Sequence, residues 1–234
     1  MRPSFFGLAP LRVASALAVV TCLSACVSTS DSSGVPFASV AALSGADRYG
    51  AVTTEPFPVP SVSPNDLNPQ FMRNYVDDPT GQPPGTIVVD PAHHYLYLVQ
   101  QGGKALRYGV GVGRAGMAWS GTANVAYKRE WPSWTPTKNM IARDPNTYSK
   151  WAGGMNGGET NPLGARALYL FQGGKDTLYR IHGTNEPWSI GESISSGCIR
   201  MMNQDVIDLY RRVPKGAKVV VIPAHNKSVS LDAN

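Results

Sequence analysis

Fifteen residues separate His182 from Cys198 in the stretch RIHGTNEPWSIGESISSGCIRMMN, Arg180 to Asn203. A thiolate is a strong nucleophile. An imidazole beside it can take the thiol proton and later return it to a leaving amine. Such a pair has to meet in space, not in sequence. His182 follows the strand-like run TLYRI, and Cys198 follows Ser195, Ser196 and Gly197, whose small side chains leave the backbone open. Glycine at 197 lets consecutive N–H groups point into one pocket, as an oxyanion hole requires.

Each residue also has a plain structural role open to it. A free cysteine is commonly a small buried filler, a loop histidine is commonly hydrogen-bonded, and serines favour turns. A serine nucleophile fits poorly, because GESIS lacks the closing glycine of G-x-S-x-G. His93, His94, His182, His225 and Cys198 show no paired-ligand spacing, so no metal is expected. Gly111 to Gly116, GVGRAG, fits G-x-G-x-x-G, but MAWSGTANVAYK follows it instead of an amphipathic helix with an acidic residue at the right distance. A β-turn explains these glycines better than a dinucleotide site.

The cysteine count sharpens the question. Of three cysteines, Cys22 and Cys26 lie in the first 26 residues and Cys198 stands alone beyond them. Residues 1–25 have a basic start, a short apolar run and small residues before Cys26, the pattern of a secretory signal. The run is too short to span a bilayer. Leu23-Ser24-Ala25-Cys26 resembles a bacterial lipobox, in which Cys26 becomes the acylated N-terminus. Each buried lipid methylene contributes about 0.8 kcal/mol, so several acyl chains hold a protein firmly on a membrane. Val27, not aspartate, follows the cysteine, which favours the outer membrane over inner-membrane retention. Cys198 then has no internal disulfide partner, which leaves a reactive thiol or an intermolecular link. Removing Arg2 and Arg12 leaves 19 basic against 16 acidic residues, a scattered excess with no nucleic-acid footprint.

The elements that must position the pair lie C-terminal of a different texture. Residues 26–85 are rich in Ser, Pro and Gly and read as a lipid-anchored tether reaching about 40 Å as a coil, with DLNPQFMRNYV as a short ordered piece at the domain border. Residues 86–223 form the domain, and 224–234 a tail. TIVVD, YLYLV, LRYGVGV, ANVAYK, ALYLF, TLYRIHG and KVVVI read as strands split by turn residues. QDVIDLYRRV reads as a helix, with Val206, Leu209, Tyr210 and Val213 on one face, Asn203 as N-cap, Asp205 in the first turn and Arg211 and Arg212 in the last. The fold class is therefore mainly β with one or two short helices.

The segment HGTNEPWSIGESISSGCIRMMN resembles the signature of the L,D-transpeptidases, the YkuD-type catalytic domain. Its fixed letters fall on His182, Gly183, Thr184, Ser195, Gly197, Cys198, Ile199, Arg200, Met201 and Asn203, and the resemblance extends over about residues 86–222. It implies a β-sandwich with Cys198 and His182 facing a cleft, and the Gly183 carbonyl orienting the imidazole. It implies that Cys198 attacks the bond between an L-centred diamino acid and D-Ala in a peptidoglycan stem tetrapeptide and releases D-Ala. The thioester then passes to an amine of a second stem in a 3→3 cross-link. Ser195, Ser196, Gly197, Arg200 and Thr184 would line the oxyanion and substrate site. No cofactor is implied. Relatives use an outer-membrane protein or water as acceptor, and carbapenems acylate the family's cysteine. The non-enzyme alternative is a wall-binding module without chemistry. Two departures stand out: Ser196 replaces a histidine common before Gly-Cys, and WSGTANV replaces Thr-Pro-x-Gly. Trp131 and Trp134 are candidates for cleft lining or core.

Overall fold

The computed structural model describes residues 46–113, 120–195 and 197–223. Its strands follow the apolar runs. β1 is Asn74–Asp77, β2 Ile87–Asp90, β3 Tyr95–Val99, β4 Lys104–Gly109, β5 Val112–Gly113 and β6 Gly121–Glu130. Two short helices follow, α1 (Lys138–Arg143) and α2 (Pro145–Tyr148), then β7 (Arg166–Gln172) and β8 (Lys175–His182). β9 (Ser193–Ser195), β10 (Ile199–Arg200), α3 (Asn203–Arg212) and β11 (Lys218–Val221) complete the chain. Three α-helices among the described residues exceed the one or two expected; α1 and α2 are single turns capped by the side chains of Thr137 and Asp144.

Nine strands form one mixed sheet in the order β1-β4-β3-β2-β11-β6-β7-β8-β10, and β5 and β9 form a small second sheet. This is the mainly β, YkuD-like sandwich that the sequence led us to expect. Hairpins dominate, and their turns need glycine: Gly102 and Gly103 have φ of 72° and 68°, and Gly173 and Gly174 have 57° and 77°. A side chain would be strained at each of these positions. β2 lies mid-sheet and is buried on both faces, which explains its unbroken apolar run. Ile87 and Val89 join the main core; Val88 joins a second cluster with Tyr97, Val99 and Ala105. α3 lays Val206, Leu209 and Val213 into the main core against Leu168, Leu170 and Ile181. Each such side chain contributes roughly 1.5–3 kcal/mol by leaving water.

Asn203 is not the N-cap. Met202 holds that place, and the Asn203 Oδ1 accepts the Ala165 N–H at 2.9 Å. Asp205 does lie in the first turn of α3, and it is fully buried.

The largest correction concerns the segment read as a tether. Residues 46–73 are a strap packed on the domain, and β1 continues into the large sheet. Tyr49 and Val59 are each 2% exposed. The Tyr49 hydroxyl donates to Asp205 Oδ2 and accepts the Arg73 N–H. Gln204 Nε2 donates to the carbonyls of Gly50 and Pro60. Glu55 pairs with buried Arg166 at 2.7 Å and accepts from Trp131 Nε1. Proline-rich composition misled here because the strap needs no regular periodicity: it is held by isolated backbone bonds such as Val52 with Val59 and by single side-chain bonds to distant residues. The signal segment, Cys26, the remainder of the tether and the 224–234 tail lie outside the described residues.

Candidate active site

β10 runs parallel to β8 with Ile199 opposite Ile181 and Arg200 opposite His182. Ile181 and Ile199 point into the main core. Alternation therefore sends Arg180, His182, Cys198 and Arg200 to the other face. Cys198, the residue before β10, and His182 thus fall on one face of neighbouring strands, although fifteen residues lie between them in sequence. The pairing is pinned on both sides: Met201 N–H donates to the His182 carbonyl at 2.8 Å, and Arg200 exchanges two backbone bonds with Gly111. A Cβ at Gly111 would collide with the Ser189 carbonyl, so the first glycine of GVGRAG serves close backbone packing. Arg114 to Gly116 of that motif lie outside the described residues.

His182 is 4% exposed. Its Nδ1 bonds to the Gly183 carbonyl at 2.5 Å, the role expected of Gly183. A carbonyl only accepts, so Nδ1 carries the proton and Nε2 is left as the basic nitrogen. Burial pushes the imidazole down to about 4; the Gly183 bond opposes this, while the charges of Arg200 and Arg180 reinforce it. Gly183 is glycine for a steric reason: a Cβ would run into Asn203 Oδ1, itself held on Ala165.

Cys198 forms no disulfide among the described residues and is partly open at the surface and otherwise enclosed by protein. Burial pushes it up, and the Arg180 backbone N–H and the charges of Arg180 and Arg200 pull it back. The sequence suggests a thiolate–imidazolium pair. The structure instead favours a neutral thiol beside a neutral imidazole, because burial penalises both ions. Gly197 has φ 130°, a conformation that disfavours any residue with a side chain.

The remaining predicted residues divide. Arg200 pairs with Glu186 at 2.7 Å, so its fork is held internally. Thr184 is buried and its Oγ1 accepts the Glu186 N–H, fixing the turn after the histidine. Ser195 lies in β9 opposite Gly113, and Ser196 lies outside the described residues. Trp131 lines a cavity of about 260 Å³ together with Val59, Thr184 and Gln204 and stacks edge-on against Phe57. Trp134 packs edge-on against Tyr148. His93 pairs with Asp90, and His94 bonds Ser193.

Sequence reasoning missed Arg180. The signal was present, since Arg180 and His182 share a strand face by period two. Its contact with the nucleophile needed the β8–β10 pairing to become visible.

The model of the L,D-transpeptidase catalytic domain, YkuD, matches residues 84–221. The chain belongs to this family. The probable L,D-transpeptidase YbiS of Escherichia coli K12 is 34% identical over 141 residues, covering 58% of this chain and 44% of that protein. The probable L,D-transpeptidase ErfK/SrfK of the same strain is 35% identical over 141 residues, 58% of this chain and 43% of that one. The chain thus spans less than half the length of these curated relatives. A crystal structure from Brucella melitensis, described as a probable carnitine operon oxidoreductase, is 54% identical, covers 67% of this chain and 96% of that one, and superposes with a TM-score of 0.47. That description is carried over to nothing in this chain.

Proposed function

We propose that this chain is a peptidoglycan L,D-transpeptidase in which Cys198 is the nucleophile and His182 the general base and acid. The observation that carries the reading is the parallel β8–β10 pairing, which sets Cys198 and His182 on one face with Nε2 unprotonated. As Cys198 Sγ attacks the carbonyl of the L-centred diamino acid, its proton passes to His182 Nε2. The charges then form together only when substrate displaces water, consistent with two neutral groups at rest. The Cys198 and Gly197 N–H groups are the oxyanion donors in this reading. Collapse breaks the C–N bond, and the departing D-Ala amine takes the proton from His182. The thioester holds the energy of the broken amide. An incoming amine gives its proton to His182, attacks the thioester and releases the thiol. A second stem peptide as that amine makes the 3→3 link.

Export and attachment through Cys26 complete the proposal. They place the domain in the periplasm, on the outer membrane, where stem peptides are within reach. Changing Cys26→Ala is expected to move the protein from the membrane to the soluble fraction; unchanged fractionation would count against the anchor.

The test of the chemistry is incubation with a disaccharide-tetrapeptide followed by mass analysis. Cys198→Ala is expected to abolish D-Ala release with an unaltered melting curve. Full release by that variant would end the enzyme reading. Cross-linked dimer, free tripeptide or no product distinguishes a stem acceptor, water and a silent wall-binding module.

A further inference from the structure

The strand that carries the catalytic histidine is irregular just before it. Tyr169 of β7 faces Arg180 and Phe171 faces Asp176, so Thr177, Leu178 and Tyr179 together oppose Leu170. β8 therefore bulges where it meets the nucleophile. Leu178 is 73% exposed with φ 64°, an unusual choice for a bulky residue. Its carbonyl lies 4.0 Å from Cys198 Sγ.

One carboxylate holds the bulge together. Asp176 Oδ1 accepts the Leu178 N–H at 2.8 Å and Arg180 Nη1 at 2.7 Å, and Asp176 Oδ2 accepts Arg180 Nη2 at 2.7 Å. The guanidinium lies 4.4 Å above the Tyr169 ring and gives a further bond to the Tyr179 carbonyl. Thr177 Oγ1 donates to the Leu170 carbonyl and receives the Tyr179 N–H. The planar fork is thus fixed from below, from the side and along its own strand.

We propose that Asp176 is a positioning residue for the nucleophile: by bracing the β8 bulge and Arg180, it sets the wall against which the Cys198 sulfur takes up negative charge. The wall has two parts. The Arg180 backbone N–H bonds the sulfur, and the Arg180 guanidinium supplies a fixed positive charge. Neither part requires Asp176 to touch substrate. The inference rests on the acyl-transfer reading for its biological meaning, but the geometry concerns the thiol alone. Other charged or titratable groups facing the thiol are His182 and Tyr179 on β8 and Arg200 on β10, the last tied to Glu186.

The sign of one experiment separates bracing from simple charge. As a bare negative charge, Asp176 disfavours the thiolate. Its removal would then lower the pH at which Cys198 reacts. As a brace, its removal frees Arg180 and raises that pH.

The measurement is the rate of Cys198 alkylation by iodoacetamide against pH, read by peptide mass mapping on the full chain. We expect Asp176→Asn and Arg180→Gln both to move the midpoint upward and to slow alkylation at pH 7 roughly tenfold. Circular dichroism melting confirms that each variant is folded. Arg180→Lys keeps the charge without the two-pronged grip, and a smaller shift in the same direction is expected. It serves as the deciding variant if Asp176→Asn does not fold. A midpoint that falls or stays put in a folded variant overturns the proposal. D-Ala release from muropeptides is assayed separately. Its absence in the wild type, with the alkylation shifts present, would remove the transpeptidase reading and leave the brace standing.

Discussion

His182 and Asp205 are both sealed from water, at 4% and 0% exposure, and burial dominates the titration of each. At the β8–β10 pair, burial drives the imidazole down to about 4. At the strap anchor, burial drives the Asp205 carboxyl up to about 7, against the pull of the Arg73 guanidinium and the Tyr49 hydroxyl. The difference lies in what holds the polar atoms. His182 leans on an uncharged carbonyl of its own loop, so its state follows from a fixed part of the domain. Asp205 depends on groups delivered by the strap: Tyr49 at 3.1 Å and Arg73 at 3.9 Å, with Oδ1 lacking a hydrogen-bond partner among the described residues. The imidazole's surroundings are set within the domain. The carboxyl's surroundings are set by contacts with the strap.

The strongest way to break this comparison is pH. The His182 contribution to stability is present above pH 6.5 and is lost as pH falls toward 4. The Asp205 contribution is present below pH 3.8 and is lost as pH rises toward 7. Over the shared window, the two slopes oppose each other. In Asp205→Asn, stability should rise with pH between 4 and 6.5 more steeply than in the wild type. The difference between the two proteins should grow by up to about 4 kcal/mol by pH 7. Urea unfolding at a series of pH values measures it, and parallel profiles would mean that Asp205 does not titrate as described.

A smaller effect concerns the strap alone. The Phe71 side chain sits where a Cβ on Gly109 or Gly191 would collide with it. Phe71→Ala should cost about 2 kcal/mol, since the ring is only half-buried. It should leave the alkylation profile of Cys198 unchanged. A changed profile would show that strap and catalytic strands are coupled. The smallest effect is expected at Asp77, which is 89% exposed and bound to Lys104. Asp77→Ala should leave the melting temperature unaltered, because an exposed pair is screened by water.

The sequence disclosed the parts of the molecule that repeat a period. The strand runs around Val88, Leu98 and Leu168, and the helix bearing Val206 and Leu209, appear where alternation and helical spacing place them. His182 and Cys198 stood out in the sequence by residue type, whereas Gly183 was suggested only by the family resemblance; its carbonyl bonds His182 Nδ1 in the structure. The strap was not legible, because Tyr49, Glu55 and Arg73 bond side chains that lie more than 100 positions away, at Asp205, Arg166 and Asp208. Asn203 was misplaced as a cap for a related reason: its bond to Ala165 spans 38 positions and outcompetes the local one. Asp176 and Arg180 carry no sequence signal of their contact, which depends on the bulge in β8.

The family-matched block begins at residue 84, yet β1 upstream of it covers the outer edge of β4 from Lys104 to Arg107 through the register Asn74 to Asp77. A protein trimmed to that block would bare the unpaired amides and carbonyls of β4. It would also open the hollow left by Tyr49 and Phe71. Such a fragment should self-associate strand to strand, so a soluble, monomeric preparation calls for a start no later than Ala46.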